Sequence, residues 1–64
     1  MEFKNSQIRE LIAEHIHSER DRAILSDRLI DGMTLEKIAE KHDMSDRQIR
    51  RIVYKLQEKL FRHL

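Results

Sequence analysis

Residues 34–52 read TLEKIAEKHDMSDRQIRRI, and this stretch decides the fold. It predicts two short helices joined by a tight turn, the second of them basic. Ala39 falls where two crossing helices need a small side chain, and Asp43 and Met44 fall in the turn. Ser45 and Gln48 form a capping box, S-x-x-Q, in which each side chain accepts the other's backbone N–H and a new helix starts at once. Ile38, Met44, Ile49 and Ile52 supply apolar contacts on the inner side. Caps, apolar positions and charge agree on a helix-turn-helix, the motif that lays a second, recognition helix in the major groove of DNA.

Outward from this stretch, the apolar spacing predicts two further helices. The first spans about 6–17, with Ile8, Leu11, Ile12, His15 and Ile16 at i, i+3, i+4, i+7, i+8 and Asn5 or Ser6 as cap. The second spans 19–31. Ser18 caps it, with Asp21 three residues on; Ala23, Ile24, Leu25, Leu29 and Ile30 face inward, and Gly32 is suited to the C′ place. Thr34 caps the third helix, which runs through Leu35, Ile38 and Ala39 to His42. The fourth covers 46–62 with Ile49, Ile52, Val53, Leu56 and Leu60 on its core side. The expectation is one all-α, four-helix domain over residues 1–64, with the helix-turn-helix at 34–62.

The totals fit. A chain of 64 residues makes one small domain with a thin core, burying only about 60 % of its unfolded surface. With no cysteine, disulfides and thiolate metal sites are excluded, and a reducing cytoplasmic setting is expected. No apolar run approaches the roughly 20 residues of a membrane span, and MEFKNSQIRE has no signal-peptide core. The net charge of +1 hides an uneven distribution. Residues 1–17 carry two basic and three acidic side chains, residues 18–43 five and seven, and residues 44–64 six and two. The positive charge is therefore gathered on the last helix, as on a phosphate-binding surface.

On that helix, Arg47, Arg50, Arg51 and Tyr54 recur at i, i+3, i+4, i+7 opposite the apolar side. The first turns of a recognition helix reach base edges, so Asp46, Arg47, Arg50 and Arg51 are the candidate readers, with Ser45 and Gln48 near the backbone. An arginine can bond both acceptors of guanine. Tyr54 and Lys55 are placed for phosphate, and Lys37 and Lys41 on the preceding helix for the DNA backbone. Free N–H groups at the Ser45 end favour a nearby phosphate. Asp46 suits the helix dipole but not a phosphate, so it must meet a cytosine amino group or bridge to an arginine. The competing reading is a solvated face whose arginines pair with nearby acids.

From Ser18 onward the chain resembles region 4 of bacterial RNA polymerase sigma factors. The text that carries this is ERDRAILSDRLIDGMTLEKIAEKHDMSDRQIRRIVYKLQEKL: the ERDR opening, DG-x-TLEKIAE, the turn HDMS, QIRRI and the closing KL. It is also similar, more generally, to LuxR-type response-regulator helix-turn-helices. The sigma resemblance implies a compact all-α domain that binds duplex DNA at the −35 promoter element and packs on RNA polymerase. By the resemblance Arg47, Arg50 and Arg51 fall at DNA-reading places and Ser45 at the capping place. Three positions depart from the pattern. Asp46 stands where primary sigma factors commonly have a basic reader, Arg47 where they commonly have an acidic one, and His42 where an apolar or aromatic residue is usual. Nothing resembles region 2, so the expectation is a free-standing regulator, for example of phage or mobile-element origin, or a sigma-like subunit that needs a second protein.

Other features read more plainly. His15 and His17 lie about 200° apart on a helix and cannot share a metal. His42 reads as a half-buried spacer against the turn. The acids read as scattered on outward faces, with no phosphate loop or metal-ligand cluster, so neither enzyme activity nor a cofactor is expected. The expected partners are double-stranded DNA and RNA polymerase, with a homodimer left open by the apolar residues of helix one (Phe3, Ile8, Leu11, Ile12, Ile16) and by Leu56, Leu60, Phe61 and Leu64. The alternative function is a protein-interaction module that uses those apolar faces.

Overall fold

The computed structural model describes residues 5–63. They form four helices: α1 (Asn5–His15), α2 (Glu19–Leu29), α3 (Leu35–Lys41) and α4 (Asp46–Phe61). The expected all-α domain is the one observed. Phe3 and Leu64 lie outside the described residues.

The caps predicted at Ser18, Thr34 and Ser45 are in place, whereas α1 already includes Asn5 and Ser6, so neither stands as its cap. Ser18 Oγ accepts from Asp21 N at 3.4 Å, Thr34 Oγ1 from Lys37 N at 3.2 Å, and Ser45 Oγ from Gln48 N at 3.1 Å. The helix ends differ from expectation for identifiable reasons. α1 stops at His15 rather than at residue 17, because Arg22 reaches back from α2 and donates to its last carbonyls. Nη2 bonds Ala13 O at 2.9 Å and Nε bonds Ile16 O. Satisfied in this way, the orphan carbonyls need no further helical turn. α2 ends at Leu29 with Ile30 as C-cap, and the N–H groups of Ile30 and Asp31 both bond Ser26 O. Gly32 therefore sits beyond the C′ place. It has φ 68°, and a Cβ there would meet nothing within 4 Å, so the glycine answers a backbone requirement and not a lack of space.

The core has two lobes. In the first, Ile12 and Ile16 of the α1 segment meet Leu25, Leu56 and Leu60, with Ile8, Leu11, Leu29 and Ile52 at the edge. In the second, Ile24 meets Ile38, Ala39, Ile49 and Val53, flanked by Met33, Leu35 and Met44. Adjacent residues Ile24 and Leu25 thus serve different lobes, and α2 and α4 span both. Ala39 is buried between α3 and α4, the small residue that the crossing required. Ala23 and Ile30, expected to face inward, are only half-buried. Leu56 and Leu60 pack on α1, whereas Phe61 turns away from the stripe and is 47 % exposed.

Candidate nucleic-acid interface

The turn between α3 and α4 is built by backbone bonds. Met44 N donates to Ala39 O at 2.9 Å and Asp43 N to Glu40 O at 3.3 Å. These are the two bonds of a Schellman motif, with Asp43 at the left-handed C′ place where glycine is commonest (φ 54°). α4 then starts at once. Ser45 N donates to Gln48 Oε1 at 3.0 Å while Gln48 N donates to Ser45 Oγ, which completes the capping box. The Ser45 hydroxyl also donates to Gln48 Oε1 at 3.2 Å. Ser45 and Gln48 are thus bonded to each other, and their visible work is to aim the first turn of α4.

That turn presents Arg47, Arg50 and Arg51, with Tyr54 one turn further on, all exposed and opposite buried Ile49 and Val53. Among the described residues none of the three arginine side chains has an ion-pair or hydrogen-bond partner, and neither do the side chains of Lys37, Lys55 or Asp46. The solvated-face reading required these arginines to be paired with acids, and here they are not. Arginines elsewhere do pair, Arg20 with Asp21 and Arg62 with Glu58. Nor does Asp46 bridge to an arginine. Arg50 shares a shallow groove with Arg28, Thr34, Leu35 and Glu36 at the start of α3. Arg28 is held there by a bond from Nη1 to Met33 O at 2.9 Å. Sequence reading did not bring Arg28 to this place, because the link runs through a loop whose path depends on Gly32.

Lys41 is placed differently from the other cations. Its Nζ donates to Asp27 Oδ1 at 3.0 Å, and His42 Nε2 lies 3.0 Å from Asp27 Oδ2. Asp27 is buried, 5 % exposed, which corrects the reading that all acids lie on outward faces. The reason is positional: Asp27 lies three residues after Ile24, on the inner side of α2, where only a paired carboxylate is tolerated. Burial pushes its carboxyl up, but hydrogen bonds from His42 and Lys41, together with their charges, outweigh that and hold it below its ordinary range. The signal for this was the i+3 spacing from Ile24.

Residues 18–61 match the family model described as Sigma-70, region 4. The chain belongs to this family. Region 4 is a DNA-binding helix-turn-helix of transcription, associated in its family with RNA polymerase, and not an enzyme family. The match begins at Ser18, the cap of α2, so α1 lies outside it, although Ile12 and Ile16 pack on Leu25, Leu56 and Leu60 within it. No curated protein and no solved structure matches the chain. Among the described residues no helix is long and apolar enough to cross a membrane.

Proposed function

We propose that this region 4 domain binds double-stranded DNA sequence-specifically and regulates transcription, with α4 in the major groove. The observation that carries the reading is the row of unpaired, exposed arginines on the first turns of a capped helix that follows the turn of a helix-turn-helix. Arg47, Arg50 and Arg51 read or brace base edges. Asp46, left unpaired in the free chain, accepts from a cytosine amino group. Lys37, Tyr54 and Lys55 hold phosphates, and Ser45 and Gln48 set the angle of entry. RNA polymerase is the protein partner that the family suggests.

Titration of duplex DNA at several salt concentrations tests this. Affinity falls steeply with ionic strength, log K dropping by about 0.9 per log unit of salt for each phosphate neutralised. A weak dependence, with no loss when Arg47, Arg50 and Arg51 are changed to alanine, would contradict it. The protein-interaction reading is less well supported. Of the apolar residues it would use, Ile12, Ile16, Leu56 and Leu60 are buried in the domain's own core and Ile8 and Leu11 pack at its edge, which leaves Phe61 exposed among those described.

A further inference from the structure

Asp27 is a buried carboxylate with both oxygens engaged, one by the ammonium of Lys41 and one by the imidazole of His42. A buried charge is expensive unless paired, so this arrangement is built and not incidental. Its two partners are the last residue of α3 and that helix's C-cap. Asp43, next in the chain, is the left-handed residue from which the backbone turns toward Ser45. One carboxylate on α2 therefore does two things. It ties down the end of α3 beside the turn that sets the direction of α4, and it cancels the charge of Lys41, whose side chain is 53 % exposed and four residues ahead of the cap of α4. Lys37, one turn earlier on the same helix, has no such partner among the described residues.

We propose that Asp27 sets the strength of sequence-independent binding: by holding Lys41 it keeps a cation off the DNA backbone, and discrimination stays with the arginines of α4. The inference rests on the DNA-binding reading above. A phosphate contact adds affinity on chosen and scrambled sequences alike, so one more of them raises both and steepens the salt dependence of both, while the ratio between them stays with the arginines of α4. Lys41, placed from sequence among the phosphate ligands, is by this account a phosphate ligand only when Asp27 is gone.

The test is a salt series of binding titrations on a selected duplex and its scrambled counterpart. It uses the wild-type chain, Lys41→Gln, Asp27→Asn and the double variant, each checked for folding by circular dichroism. Lys41→Gln leaves the salt slope unchanged on both duplexes. Asp27→Asn steepens it by about 0.9, and raises affinity for the scrambled duplex by up to about eightfold at 0.1 M salt by the same relation. The double variant returns to the wild-type slope, which a merely structural role for Asp27 would not produce. A slope reduced by about 0.9 in Lys41→Gln overturns the proposal, and that variant decides alone if Asp27→Asn does not fold. An unchanged slope in a folded Asp27→Asn overturns it equally. Absence of duplex binding by the wild-type chain would instead defeat the DNA-binding reading, and this proposal with it.

Discussion

Asp43 shows how a single residue constrains the motif. Its φ of 54° is a region that glycine enters freely, that asparagine and aspartate tolerate, and that β-branched residues avoid. Asp43→Val should cost about 1–2 kcal/mol. That corresponds to a fall in the thermal midpoint of several degrees, read by circular dichroism, while Asp43→Gly should leave the midpoint near that of the wild type. A valine variant as stable as the wild type would mean that the turn relaxes into another conformation. Arg51 is constrained by what it does not touch. It is exposed and unpaired, so Arg51→Ala should leave stability within about 0.5 kcal/mol of wild type. Binding to a selected duplex should weaken by about 1–3 kcal/mol, more than binding to a scrambled one. Equal loss on both sequences would remove Arg51 from the readers. The positions of both residues are legible in the sequence, Asp43 from the turn and Arg51 from the period of α4. That Arg51 is unpaired is not, because it depends on where acids from other helices end up.

At the scale of elements, caps decide where helices begin and tertiary contacts decide where they end. Ser18, Thr34 and Ser45 act within four residues of chain, and each was readable as a start signal. Ser45→Ala opens the capping box and should cost about 1 kcal/mol, visible as a lower urea midpoint. It should also weaken DNA binding by loosening the first turn of α4. By contrast, the end of α1 is set by Arg22 and the loop after α2 by Gly32 and Arg28, contacts that no local pattern announces. The Asp27 bond across α2 and α3 is of the same kind, and it makes the helix pair sensitive to acid. A carboxyl held below its unfolded value stabilises the fold above that value, and the contribution is lost as pH falls through the folded one. Stability should therefore be full near neutrality and decline below the ordinary carboxylate range. In Asp27→Asn this part of the decline should be absent. Urea denaturation at pH 6 and pH 3 measures it; an equal acid loss in both proteins would show that other carboxylates carry the effect.

For the whole molecule, two small lobes share α2 and α4, so neither lobe is independent of the other. Leu25 is fully buried, and Leu25→Ala should cost about 2–5 kcal/mol, a large part of what a domain of this size has to lose. Such a variant should lose DNA binding together with its helical signal, whereas the Arg51 variant loses binding alone. The fold class, the four helices and most of the core were legible because helical spacing repeats often in a short chain with few glycines. Less legible was the division of the core, with Ile24 and Leu25 parting to opposite lobes, and the turning away of Phe61, since both depend on crossing angles. The row of exposed arginines on α4 was legible, while the pairing of Lys41 with Asp27 was not, for want of a partner that only the fold brings near. The central claim is that this face reads sequence. Selection from a random duplex pool at moderate salt, followed by sequencing, tests it most directly. The account predicts an enriched motif that Arg51→Ala weakens or relaxes. A pool that stays random under weak, salt-sensitive binding would contradict it.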